Sequence, residues 1–166
     1  MVNRHPEQTR RRLAQTASRL RSLVHPAARA PDRLLVSERT GRDGWAAAQR
    51  LTYRPTSVCE TFGPQWATYW FRIEATIPPE WADRRVDLIW DSNSEATLWR
   101  DGQPLQGLNS GWRAQRTEAP LTASALGGEP VAVAVEMACN AWMGDERPPP
   151  IGDPLGEARW RLGRTW

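Results

Sequence analysis

The sequence predicts a mostly β fold: an antiparallel β-sandwich of the jelly-roll kind, preceded by an amphipathic α-helix. Three observations carry this. Apolar and polar residues alternate with period two over Tyr69–Ile77, Val86–Asp91 and Val131–Met137, as in strands with distinct faces. Turn-forming residues fall between those runs, and the chain carries 14 Pro and 12 Gly, which suits a turn-rich β protein. Only the first 25 residues carry a helical period instead.

Taken in order, Pro6 sits where a first helical turn accepts proline. Leu13, Ala17, Leu20 and Val24 then recur at helical spacing, with Arg on the other faces. His25-Pro26 ends a helix of about five turns, roughly 28 Å long. Its expected role is packing on a neighbouring surface. Residues 31–55 read as a linker with one edge segment at Leu34-Leu35-Val36, and Tyr53–Glu60 leads into the sandwich. From Tyr69, residues Tyr69, Phe71, Ile73, Ala75 and Ile77 share one face, while Thr68, Trp70, Arg72, Glu74 and Thr76 share the other. Pro78-Pro79 ends this strand, because proline donates nothing to a ladder. Val86, Leu88 and Trp90 alternate in a second strand; with Tyr69, Phe71 and Ile73 they are the expected core. Asp91-Ser92-Asn93-Ser94 is turn chemistry. A third strand around Ala96 and Leu98 closes at Asp101-Gly102, a tight-turn pair. Leu105–Asn109 reads as a short strand, Trp112–Glu118 as an edge strand or loop, and Pro120–Leu126 as a short helical turn capped by Gly127-Gly128. Val131–Met137 alternates with small residues, so it is expected to be central and covered on both sides. Four prolines make Arg147–Pro154 a linker, and Ala158–Leu162 a last strand. The expected division is a basic helix over 1–30, a linker and edge segment over 31–55, the sandwich over 56–146, and a Pro-rich linker with the start of a following element over 147–166.

Charge separates along the chain. All 22 basic residues are Arg; residues 1–30 carry seven of them against Glu7 alone, net +6, while the remainder has 15 basic and 18 acidic residues, net −3. The basic character thus belongs to the helix. The β body offers no basic stripe, so no nucleic-acid partner is expected. Two cysteines, Cys59 and Cys139, do not make a disulfide framework and read as buried free thiols in a reducing compartment. No apolar run is long enough to span a membrane, and the thin, Ala-rich apolar face of the helix argues against membrane-surface binding. The N-terminus lacks the apolar core of a secretory signal. Its Arg-rich, acid-poor composition leaves a transit peptide as the other reading of the helix. The expected location is the cytoplasm.

Chemistry is sparse. His5 and His25 sit at opposite ends of the helix, and no convergent His, Cys or carboxylate set suggests a metal. Neither cysteine has a base nearby in sequence. Asp87, Asp91, Glu95, Asp101, Glu136, Asp145 and Glu146 could supply the carboxylate pair of a glycosidase, with Asp91, Glu95 and Asp145 foremost, but acidic residues in turns ordinarily cap them. Tryptophan is the unusual feature, ten against two Tyr and two Phe. Indole faces stack on sugars, and Trp equally anchors interfaces. Trp112, Asn140 and Trp142 are the carbohydrate-binding candidates; Trp66, Trp70 and Trp99, with the Asp91–Glu95 turn, are the interdomain-interface candidates. Trp90, on an apolar face, is assigned to the core.

The segments FGPQWATYWFRIEATIPPEW (62–81), VDLIWDSNSEATLWRDGQPLQGL (86–108), RTEAPL (116–121) and VAVAVEMACNAWMG (131–144) together resemble the N-terminal domain of glycoside hydrolase family 38 enzymes of the cytosolic α-mannosidase type. The resemblance covers about half the chain, and the Arg-rich helix also resembles what precedes this domain in bacterial members. It implies a galactose-binding-like jelly roll that packs on a catalytic domain and takes part in subunit association. It implies hydrolysis of terminal α-linked mannose with retention, by an Asp nucleophile and a zinc ion, both in a domain that follows this one. No position here matches those motifs, so no catalytic residue, cofactor or metal is assigned to this chain. The expectation is an N-terminal fragment or truncated reading frame, inactive alone, whose partners are the catalytic domain, a mannose-containing oligosaccharide and further copies in a homo-oligomer. The alternative is a stand-alone carbohydrate-binding module using exposed Trp.

Overall fold

Two nine-residue strands, Thr68–Thr76 and Pro130–Ala138, lie side by side at the centre of the molecule, paired antiparallel along their whole length from Thr68↔Ala138 to Thr76↔Pro130. The computed structural model describes residues 5–109 and 115–140, and the backbone of 160–161. In chain order the elements are α1 (Pro6–Val24), β1 (Arg33–Ser37), α2 (Trp45–Ala48), β2 (Tyr53–Pro55), β3 (Thr61–Phe62), β4 (Thr68–Thr76), β5 (Val86–Ile89), β6 (Glu95–Arg100), β7 (Gln103–Asn109), β8 (Glu118–Thr122), β9 (Pro130–Ala138) and β10 (Trp160–Arg161), with a 3-10 turn at Pro79–Trp81. Six strands form one sheet in the order β2-β1-β4-β9-β6-β7, every neighbouring pair antiparallel. β5 pairs with β8, and β3 with β10.

The main core fills the space between the large sheet and β5–β8. Val36, Phe71, Ile73, Leu98, Val133, Val135 and Met137 enter from the large sheet, and Leu88, Trp90 and Ala119 meet them from the other side. Phe71 packs its edge on Trp90 at 4.9 Å between centroids and on Phe62 at 5.3 Å. Each large apolar side chain so buried contributes about 1.5–3 kcal/mol. This is the expected sandwich. Of the predicted core, Phe71, Ile73, Leu88 and Trp90 lie in it, and Tyr69 packs against it half-buried. Val86 instead joins Ile77 and Ala125 in a smaller cluster at one corner.

Several local expectations change. Residues 31–55, read as a linker with one edge segment, supply two strands and a helical turn: β2 is the edge, and β1 lies inside the sheet between β2 and β4. β4, read as buried on one face, is covered on both at its centre. Trp70 is fully buried on the outer face, where Trp45, Ala48, Leu51 and Tyr53 pack over it with Trp99 and Ala134. β9 is central, and Ala134 lies under the same cover while Val133 and Val135 face the main core. Pro120–Leu126 is not a helical turn. Residues up to Thr122 are strand, with Pro120 opposite Asp87 next to a register shift, and only a bend follows. The Thr122 Oγ1 accepts from the Ser124 N–H at 3.3 Å and donates to the Ser124 carbonyl at 3.0 Å, closing the turn locally.

The two turns around β6 follow their chemistry. The Asn93 N–H donates to Asp91 Oδ1 at 3.1 Å, and Asn93 adopts φ 58. Asp101 (φ 51) and Gly102 (φ 80) close the β6–β7 hairpin with two consecutive left-handed residues. A Cβ on Gly102 would stand 3.3 Å from Trp45 Nε1, so this glycine also lets α2 approach the sheet.

α1 forms where its period placed it, yet the described leucines of its apolar side stay largely exposed. Leu13, Leu20 and Leu23 are 65%, 59% and 63% exposed. The body is reached just past its end, where His25 Nε2 lies 3.0 Å from Glu118 Oε1 on β8. No described helix is long and apolar enough to cross a membrane.

Candidate functional site

Cross-strand register sets what can gather at one end of the sandwich. Thr68, Ala138, Glu95 and Asn109 lie in one row across β4, β9, β6 and β7. Trp66, Asn140 and the 91–94 turn therefore project from the same end. Trp66 is 49% exposed and holds φ 68, a left-handed conformation that a bulky residue rarely adopts. Its N–H donates to the Cys139 carbonyl at 2.7 Å, and the Cys139 N–H donates to Ala67 at 2.7 Å. The end of β9 thus fixes the segment that presents this indole. Tyr69 adds a hydroxyl bond of 2.6 Å to the Gly63 carbonyl.

Asn140, a carbohydrate-binding candidate, is only 4% exposed. Its Oδ1 accepts from the Glu95 N–H at 3.2 Å and its Nδ2 donates to Glu95 Oε2. The side chain is spent on tying the start of β6 to the end of β9, which removes it as a sugar ligand. Trp112 and Trp142 lie outside the described residues.

The interface candidates divide. Trp66 alone presents substantial surface. Trp70 has none, because α2 and the segment to Tyr53 cover it; that assignment is corrected. Trp99 is half-buried, stacked on Trp45 at 6.0 Å and 19°, with its Nε1–H donating to Glu136 Oε2 at 3.2 Å. Trp45, Tyr53 and Arg72, whose guanidinium sits 3.9 Å over the Tyr53 ring, complete this outer patch. Sequence reading missed Trp45 because it follows Gly41 and Gly44 in a segment with no period.

No carboxylate pair is arranged for acid–base work among the described residues. Arg85 binds Asp87 through Nε and Nη2 at 2.9–3.1 Å. Asp91 caps its turn and Glu95 holds Asn140. Burial pushes the Glu136 carboxyl above its ordinary range, partly opposed by the Trp99 hydrogen bond. Asp145 and Glu146 lie outside the described residues. Among the described residues no group of three His, Cys, Asp or Glu could hold a metal, so the donor set of a zinc site is not found there. Cys139 is buried, its thiol pushed up to about 12 by desolvation, whereas Cys59 is exposed rather than buried as expected. An open cleft of about 740 Å³ lies between the 23–28 segment and β5, with Trp81, Arg84 and Ile89 among its walls. The Arg85–Asp87 and His25–Glu118 pairs occupy much of its charge. An apolar cavity of about 60 Å³ under Pro31, walled by Ile73, Trp81 and Val86, is too small for a sugar.

Comparison with known proteins shows a family for this body. Residues 35–165 match the family described as the jelly roll domain of α-mannosidase, Ams1-like. The chain is 37% identical to human α-mannosidase 2C1 over 137 residues, 81% of this chain and 12% of that protein. It is also 37% identical to α-mannosidase G of Dictyostelium discoideum over 98 residues, 58% of this chain and 9% of that protein. The chain thus spans about a tenth of the length of these relatives. Among solved structures, a β-glucuronidase from Ruminococcus gnavus aligns at TM-score 0.45 and 15% identity, covering 69% of this chain and 23% of that one.

Proposed function

The chain belongs to the α-mannosidase jelly-roll family, and from that membership we propose that it is the N-terminal accessory domain of a retaining α-mannosidase of glycoside hydrolase family 38. The domain supports and assembles the enzyme and performs no chemistry itself. The observation that carries this reading is a family match over residues 35–165 in a body where, among the described residues, Asp87, Glu95, Glu136 and Asp91 are engaged by Arg85, Asn140, Trp99 and the Asn93 N–H. The nucleophile and the zinc ion belong to a following catalytic domain, the substrate is terminal α-linked mannose, and the setting is the cytoplasm. Trp66, half-exposed on a fixed backbone, is the residue best placed to meet that catalytic domain.

A sugar-binding role retains one described candidate surface, Trp66, since Asn140 is buried and bonded. The test of the accessory reading is release of a chromogenic α-mannoside by the purified chain with zinc added. No turnover is expected; turnover abolished by a chelator would overturn the reading.

A further inference from the structure

Backbone hydrogen bonds pin the segment from Ile77 to Arg84 onto residues 125–129. The Ile77 N–H donates to the Glu129 carbonyl at 3.0 Å, and the Gly128 N–H donates to the Ile77 carbonyl at 2.7 Å. The Asp83 N–H, with Asp83 at φ 60, donates to the Ala125 carbonyl at 2.8 Å, and the Ala125 N–H returns a bond of 2.8 Å to the Arg84 carbonyl. Gly127, at φ 82, lets the two segments meet: a Cβ there would stand 2.8 Å from the Pro79 carbonyl oxygen. The Trp81 ring packs beside the Ile77–Val86–Ala125 cluster and stays partly exposed. Glu80 and Arg84 are exposed on the same segment, and among the described residues neither side chain has a hydrogen-bonding or ion-pair partner.

All three of these side chains line the open cleft of about 740 Å³. Opposite them the 26–28 stretch offers Pro26, Ala27 and Ala28, too short to fill the gap, and Val86 and Ile89 add apolar surface. The bordering charges nearly balance: Arg84 and Arg85 stand against Glu80, Asp87 and Glu118, with His25 beside them. Arg85 and His25 are engaged by Asp87 and Glu118, which leaves Glu80 and Arg84 available to a ligand. A cleft with so little net charge does not gather phosphates or polycations. It offers an indole, a carboxylate acceptor and a planar guanidinium donor, which suit a neutral ring with an apolar C–H face and a rim of hydroxyls. We propose that this cleft binds a neutral oligosaccharide, Trp81 stacking on one hexose while Glu80 and Arg84 hold its hydroxyls. The volume falls in the range of small-ligand sites, and the pinned backbone lowers the ordering cost of binding. Trp66, Trp70 and Trp99 do not border this cleft. The site is independent of any chemistry in a catalytic domain; only the choice of a mannoside among the probes rests on the function proposed above.

The experiment is calorimetric titration of the full 166-residue chain with mannobiose, maltose and cellobiose, each up to about 20 mM, beyond the weak end of useful affinity. Saturable binding of at least one disaccharide is expected. Arg84→Ala and Glu80→Gln should each weaken it roughly three- to tenfold. Both should keep the parent's unfolding midpoint, because neither side chain belongs to a core cluster. Trp81→Ala should abolish binding, but this ring borders a core cluster, so the two surface variants keep the test free of any folding defect. No binding of any disaccharide overturns the proposal and leaves the accessory role standing. Binding that both surface variants retain in full also overturns it. Binding lost in Trp66→Ala but kept in Arg84→Ala would place the sugar at the other end of β4 and overturn it likewise. Binding of an acetylated, amidated tetra-alanine with no disaccharide bound would give the cleft to an extended peptide instead. Maltose or cellobiose binding without mannobiose, weakened by the surface variants, upholds the cleft and counts against the mannoside.

Discussion

In the β body, Phe71, Val135 and Leu98 stand side by side across three neighbouring strands with no exposed surface; in α1, Leu13, Leu20 and Leu23 are each more than half exposed. Both regions place apolar residues at the period their secondary structure requires. The difference lies in what the period faces. Strand alternation in β4, β9 and β6 is answered within the chain by Leu88, Trp90 and Ala119 from β5 and β8. Helical periodicity in α1 is answered by nothing described. Amphipathicity therefore reports that a face is to be buried, and not by whom.

Substitutions can make that contrast quantitative. Trp90→Ala removes a side chain that is 1% exposed and packed on Phe71, leaving a cavity that the sheets cannot close without losing register. A loss of about 3–5 kcal/mol in denaturant-induced unfolding is expected. A loss below about 1 kcal/mol would mean that the inner face is not the main core. Trp45→Ala should cost less, about 1–3 kcal/mol, because the indole is only half-buried although it stacks on Trp99 and meets Trp70 edge-on at 6.1 Å. If Trp45→Ala matched Trp90→Ala, the outer patch would rank as a second full core rather than a lid.

That ranking also marks how far the sequence could be read. β4 and β9 were legible because the alternation over Tyr69–Ile77 and Val131–Met137 has the period of a strand, and Asp101-Gly102 because two left-handed positions favour those residue types. The cover over the outer face was not. Thr68, Trp70, Arg72, Glu74 and Thr76 look like a solvent or docking face until Trp45 and Tyr53 arrive from a segment with no period of its own. Asn140 was illegible for the same reason, since its partner Glu95 lies 45 residues away. Pro120 misled in the opposite direction: its local signal suits a helix start, and the β5 pairing overrides it. Of the candidate site, Trp66 is half-exposed because the Cys139 carbonyl holds its backbone at the end of the sheet, a contact 73 residues away that no local pattern announces.

Two carboxyls sharpen the comparison between faces, with opposite signs. Burial raises the Glu136 carboxyl, so the fold binds its proton more tightly than the unfolded chain does. Its contribution is greatest at low pH and is lost as pH rises from the ordinary glutamate range through the raised value. Glu60 is lowered, chiefly by its hydrogen bond from Arg54, so its contribution is present above the ordinary range and is lost as pH falls through the lowered value. Stability measured across acid to neutral pH should therefore decline less with rising pH in Glu136→Gln than in the parent, with the Trp99 hydrogen bond kept. Glu60→Gln should remove part of the loss on the acid side. Parallel profiles for Glu136→Gln and the parent would show that the outer patch is wet.

The smallest effect uses the thiols as reporters of the same contrast. Cys139 closes the main core, is fully buried, and has its thiol pushed up to about 12; Cys59 is exposed in the turn before β3. Only the thiolate attacks an alkylating or disulfide reagent. At mildly alkaline pH one sulfur per chain should react promptly, and the second only as fast as the β body opens. That slow phase should quicken in Trp90→Ala, which destabilises the body around Cys139. It should stay unchanged in the L13S/L20S/L23S variant, because those side chains are each more than half exposed and none belongs to the main core cluster. Equal fast labelling of both thiols in the folded chain would contradict the closure of the sandwich at that end. Acceleration of the slow phase by the helix substitutions would show that α1 supports its own body after all.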